Sequence, residues 1–70
     1  MKEDILVNYF EIDDKIYIIV NEVDYNGKHY VYLVNENDSD DMMIKRLNGN
    51  MLEPLTSKEE FNELFKLLIK

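Results

Sequence analysis

The chain has no cysteine, no tryptophan, one proline, one histidine and two glycines. Without cysteine there is no disulfide and no thiolate metal site, and the absence fits a reducing compartment. One histidine with no second histidine or cysteine makes a poor transition-metal site. His29 lies beside Lys28 next to a turn and reads as a solvent-exposed turn residue. The two glycines both sit in turns, so no glycine-rich phosphate loop exists. No apolar run is long enough for a signal peptide or a membrane span, and the chain reads as cytoplasmic, with no membrane partner.

Basic residues are scarce as well. Fifteen Asp and Glu oppose eight Lys and Arg, a formal net charge of −7. Residues 1–44 hold eleven acids against three bases, whereas residues 45–70 hold four against five. A surface this acidic repels phosphate backbones and disfavours direct nucleic-acid binding. It attracts basic protein surfaces or divalent cations, and it keeps a small protein soluble. At 46% hydrophobic residues, with five tyrosines and three phenylalanines, the sequence is nevertheless too apolar for intrinsic disorder. Its 70 residues make one small domain, residues 1–70. So short a chain buries a small fraction of its surface. Its core must be efficient, or a partner chain must complete it.

The stretch from Ile16 to Val34 organises the rest. Two runs rich in β-branched and aromatic residues meet across Asn26-Gly27, the strongest short-range hairpin signal. A two-residue turn pairs Tyr25 with Lys28, Val23 with Tyr30, Asn21 with Tyr32 and Ile19 with Val34. A three-residue loop with a bulge at Gly27 pairs Asp24 with Lys28, Val23 with His29, Asn21 with Val31 and Ile19 with Leu33. The two forms place opposite side-chain sets on a given face. The first brings Val23 beside Tyr30, a favourable aromatic/β-branched pair.

Ile5 to Ile12 predicts a first strand, ended by Asp13-Asp14-Lys15, which suit a tight turn. Lys15 to Tyr25 predicts the second. Its start, Ile16-Tyr17-Ile18-Ile19-Val20, does not alternate, as expected of a strand covered on both faces or lying at a dimer contact. His29 to Asn35 predicts a central strand whose alternating sets are both apolar or amphipathic. Glu36 to Asp41 reads as an acidic loop, Met42 to Leu47 as a short fourth strand and Asn48-Gly49-Asn50 as a turn. Met51 to Leu55 is a short fifth strand or an extended connection, held at an edge by Pro54. Ser57 with Glu60 forms a capping box for a C-terminal helix, and Thr56 with Glu59 offers the same box one residue earlier. Phe61, Leu64, Phe65 and Leu68 recur at i, i+3, i+4, i+7 as one apolar stripe, broadened by Leu67 and Ile69. Strands followed by a helix predict an α+β domain: an antiparallel sheet of four to five strands with one C-terminal α-helix packed on one face.

Catalytic chemistry finds little support. Ser39 lies in the acidic loop, and capping accounts for Thr56 and Ser57. Counted from Asn35, a calcium-loop pattern puts Asp40 where glycine belongs and Arg46 where glutamate belongs, so it fails. Asp38, Asp40 and Asp41 are left as a solvated loop, at most a weak divalent-ion site. Asn37-Asp38-Ser39 matches a glycosylation acceptor, which has no meaning in a cytoplasmic chain. No catalytic, cofactor-binding or metal residue is assigned, and no cofactor or enzymatic role is expected. Tyrosine and methionine do suit adaptable contact surfaces. Five tyrosines on a small sheet exceed what one short helix covers, so Tyr17, Tyr25, Tyr30 and Tyr32 are the expected protein-contact surface.

Tyr25 to Leu33, then an acidic stretch, then Met43-Ile44-Lys45-Arg46, Leu52-Glu53-Pro54-Leu55 and Ser57-Lys58-Glu59-Glu60-Phe61, resemble in order and spacing the domain-of-unknown-function family 1292. These are small acidic proteins of Gram-positive bacteria. The resemblance covers roughly residues 15–65. The chain departs in being shorter, less acidic towards its C-terminus and without a glycine in its first turn. The resemblance implies an architecture and a bacterial cytoplasmic setting, and it carries over no functional residue. The expected function is a non-enzymatic protein-interaction module, binding a protein partner or a second copy as a homodimer through the tyrosine-rich face or the acidic edge. The alternative is an acidic nucleic-acid mimic that occupies a basic DNA- or RNA-binding protein.

Overall fold

The computed structural model describes residues 8–69. Five strands follow one another, β1 (Tyr9–Ile12), β2 (Lys15–Tyr25), β3 (Lys28–Asn35), β4 (Asp38–Asn48) and β5 (Met51–Glu53), and α1 (Lys58–Leu68) closes the chain. The sheet is an antiparallel meander in the order β1-β2-β3-β4-β5, curled into a half-barrel. The α+β architecture is the one the sequence predicts. Of the expected first strand, residues 5–7 lie outside the described residues.

Every connection in the meander is a two-residue turn. Asp13 and Asp14 both take positive φ, as do Asn26 and Gly27. Paired positive φ values match the twist of the flanking strands. Between β2 and β3 the two-residue register holds from Tyr25↔Lys28 to Asn21↔Tyr32. A bulge at Val20 then shifts the pairing, and Ile19 faces Leu33 rather than Val34. Three of the four pairs expected of the two-residue form are therefore present, and of the three-residue form only Ile19 with Leu33, which the Val20 bulge produces rather than a bulge at Gly27. The extra residue lets β2 bend, which contributes to the curl.

The acidic stretch differs from expectation. Only Glu36 and Asn37 form the turn, and β4 begins at Asp38. Val34 faces Met42 but Asn35 faces Asp38, so Ser39, Asp40 and Asp41 bulge out of the ladder. Side chains stabilise this end locally. Asn35 Oδ1 accepts from the Asn37 amide at 2.8 Å, and Asp38 Oδ1 accepts from the Asp40 amide at 3.1 Å.

Each face of the sheet carries a core. On the helix side, Tyr30 and Ile44 pack with Leu64 and Leu68, flanked by Val23, Tyr25, Tyr32, Leu55 and Ile69. On the other side Tyr17, Val31 and Leu33 are buried with no helix of the described residues over them. Phe10 and Ile12 from one edge of the curled sheet and Leu47 and Leu52 from the other pack against them. Pro54 lies just past β5, outside the ladder, as its missing amide requires.

α1 starts as its sequence predicts. Ser57 is the N-cap, its hydroxyl accepting from the Glu60 amide at 3.0 Å. The Glu60 carboxylate reaches back to the Thr56 amide at 2.7 Å and the Thr56 hydroxyl at 3.0 Å, closing the box one residue further out. The same carboxylate accepts a hydrogen bond from Tyr30, which ties the start of α1 to the central strand. At the other end Asn21 Nδ2 donates to the Leu68 carbonyl at 3.0 Å. The helix thus crosses the strands, from over β3 to over β2.

Candidate docking face

The four tyrosines expected to form a contact surface do not form one. Tyr17 is buried on the helix-free face, 5% exposed. Its hydroxyl donates to Asp41 Oδ2 at 2.7 Å, and Asn35 Nδ2 donates to the same oxygen at 3.1 Å. These two hydrogen bonds, that from Asn35 foremost, lower the pKa of Asp41, and the carboxylate in turn raises that of Tyr17. Tyr30 lies on the opposite face, 1% exposed under α1. Burial, and then the bond to Glu60, push its phenol up to about 12. Tyr25 is half-buried and sets its ring edge-on to Tyr30, with centroids 6.5 Å apart. Tyr32 is half-buried and donates to Met42 Sδ at 3.0 Å. The strands alternate, and α1 occupies the space above Tyr30, so these rings serve as packing.

His29 also differs from expectation. It is half-buried, with Nδ1 2.7 Å from Asp24 Oδ1 and Nε2 2.7 Å from Glu22 Oε1. A neutral imidazole donates from one nitrogen only. Two carboxylates at that distance match the imidazolium, and they raise the pKa, Asp24 more than Glu22. No group of three or more histidine or carboxylate side chains is placed to hold a metal among the described residues.

The cross-strand register identifies a different surface. Tyr9 faces Ile18, Ile18 faces Val34 and Val34 faces Met42. These four residues form one row across four strands, on the face that carries Tyr30 and Tyr32. Val34 is half-buried, and Tyr9, Ile18 and Met42 are between 39% and 50% exposed. The reason is geometric. An 11-residue helix is about 16 Å long and about 10 Å across. A sheet five strands wide, with strands of up to 11 residues, is far larger. α1 covers the rows near the Asn26-Gly27 turn and stops short of this one.

One flank of the helix faces the same open strip. Glu59, Glu63 and Lys66 line a shallow groove with Tyr25 and Lys28, on the turn side of α1. At 100° per residue Phe61 and Phe65 fall on the opposite flank. Their rings lie 5.8 Å apart and are 41% and 44% exposed. The expected apolar stripe is therefore split. Leu64 and Leu68 are buried, whereas Phe61, Phe65 and Leu67 face water.

No family model, curated protein or solved structure matches the chain.

The strip also has a charged border. In a meander the β1–β2 and β3–β4 turns lie at the same end of the sheet, and here the Glu36 amide donates to the Ile16 carbonyl at 2.9 Å. Among the described residues this end gathers Glu11, Asp13, Asp14, Glu36, Asp38, Asp40 and Asp41 against the single base Lys15. Val34 is two residues from the Glu36-Asn37 turn, and Glu11 shares the face and strand of Tyr9. The apolar strip therefore runs between the Phe61–Phe65 flank and the acidic end of the sheet, from which Glu11 shares its face, whereas Asp38 and Asp41 lie on the Tyr17 face. Sequence periodicity missed it because Ile18, Val34 and Met42 belong to three strands and only the register aligns them. No helix among the described residues is long and apolar enough to cross a membrane.

Proposed function

We propose that the chain is a non-enzymatic protein-interaction module, and that it docks its partner on the strip between Phe61–Phe65 and the acidic end of the sheet. The observation that carries this reading is the row Tyr9–Ile18–Val34–Met42, apolar across four strands and left open by α1. Contiguous apolar surface with a polar rim is the character of protein contact sites. The cysteine-free, acidic composition supports a cytoplasmic setting. The resemblance of its motif order to family 1292 is our reason for expecting a bacterial one, and it assigns no activity.

The test is an Ile18→Thr/Met42→Thr double variant, which keeps strand-compatible shapes while removing apolar surface. Partner capture by the immobilised chain is expected to be lost, with the urea midpoint little changed. Capture that persists at full strength in the double variant contradicts the reading. The acidic end gives the nucleic-acid-mimic reading its own foothold, because its carboxylates cluster on two adjacent turns. A mimic engages its basic partner through charge alone, so its binding survives the double variant and collapses with salt.

A further inference from the structure

Resting on that reading, we infer that the occupant of the strip is a cationic amphipathic helix of a partner protein, laid beside α1 to complete a two-helix layer on the sheet. Size, shape and charge agree on this. A row across four strands spans about 15 Å, which a helix of about 10–12 residues matches. Neighbouring helices pack 8–10 Å apart, and α1 already presents Phe61 and Phe65 along one side of the vacant strip. The other side is bounded by Glu11, on the same face as Tyr9, and by the two turns that carry Asp13, Asp14 and Glu36. A helix seated there sets apolar residues at i, i+3, i+4 and i+7 onto Ile18, Val34 and Met42. Lys or Arg on its outer flank then faces the carboxylates. A second copy of this chain brings a net charge of −7 and the same acidic end to the contact, so like charges would meet. A basic helix removes that repulsion.

The experiment titrates the whole chain, with its methyl groups observed by NMR, with three synthetic helical peptides of about 16 residues. All three share one leucine face, and their outer positions are lysine, glutamine or glutamate. The lysine peptide is expected to shift the Ile18 and Met42 methyls and to bind about tenfold or more tighter than the glutamine peptide, with the difference shrinking as salt rises. The glutamate peptide is expected not to bind. A chain carrying Glu11→Gln, Asp13→Asn, Asp14→Asn and Glu36→Gln keeps the turn chemistry, because asparagine also tolerates positive φ, and is expected to lose most of the lysine preference. Equal binding of all three peptides at Ile18 and Met42 overturns the charge selection and leaves the docking face standing. Concentration-dependent self-association through the same methyls, with no peptide bound, overturns the inference in favour of a second copy. Peptide shifts located elsewhere, or none with the chain monomeric, overturn both the inference and the docking face.

Discussion

Leu64 and Phe65 are neighbours in the sequence, and the structure assigns them opposite roles. Leu64 has no exposed surface and packs on Tyr30 and Ile44. Leu64→Ala removes its buried methyl groups and leaves a cavity, at a cost of about 3 kcal/mol. A 70-residue domain has roughly 4–10 kcal/mol of stability to lose, so this one change removes a large part of it. The urea midpoint should fall by about 2–3 M, and the melting temperature by roughly 15 °C or more. Phe65 is 44% exposed, and its main contact is the tilted pair with Phe61. Phe65→Ala loses about 1–1.5 kcal/mol of partial burial and recovers roughly 0.5 kcal/mol in helix propensity. Its net cost should stay near 1 kcal/mol. Urea titrations of both variants, followed by far-UV circular dichroism, give the comparison. Equal losses, or a larger loss for Phe65→Ala, would refute the placement of α1, because they would mean that the phenylalanine flank is packed rather than open.

The remaining predictions concern protons and the backbone. His29 should titrate above 6.5 by NMR, and both Asp24→Asn and Glu22→Gln should bring it back towards that value. Because its folded pKa is raised, the stability it supplies is complete below 6.5 and fades as pH rises through the folded value. A urea midpoint with no such alkaline decline, or one that persists in His29→Gln, would contradict the ion triad. Glu60 has a lowered pKa, chiefly through the hydrogen bond from Tyr30 and then the Thr56 amide. Its contribution is therefore present above 4.5 and lost as pH falls through the folded value. Glu60→Ala should cost about 1–2 kcal/mol and fray the start of α1, visible in amide exchange of residues 58–61; unchanged exchange there would count against its bridging role. Gly27 has φ +77 with nothing within 4 Å of an added Cβ. Gly27→Ala should cost about 1–2 kcal/mol through backbone conformation alone, and a neutral urea titration would exclude the left-handed turn.

Local chemistry made much of this fold legible. Asn26-Gly27 marked the central hairpin, Ser57 with Glu60 marked the start of α1, and Pro54 marked the end of the ladder. The Val20 bulge was not legible. Ile16 to Val20 is apolar at every position, so a shift of one residue leaves no trace in the pattern, and only pairing with Leu33 and Tyr32 shows it. Asp38 to Asp41 read as loop because aspartate disfavours strands. In the folded chain Asp41 bonds Tyr17 and Asn35, and Asp38 bonds the Asp40 amide, contacts that offset the local preference. The tyrosines misled for a related reason. Both alternating sets on β3 are amphipathic, so the sequence does not say which set α1 covers. The docking strip depends on all of these at once: the register of four strands, the position of α1 and the shared end of two turns.

The most direct test of the account is the solvent exposure of single methyl groups in the free chain, measured by paramagnetic relaxation from a neutral soluble co-solute. The account predicts strong relaxation at Ile18 and Met42 and protection at Ile44, Leu64 and Leu68. Protection of Ile18 and Met42 equal to that of Leu64 would contradict it, because the face would then be covered within the chain itself.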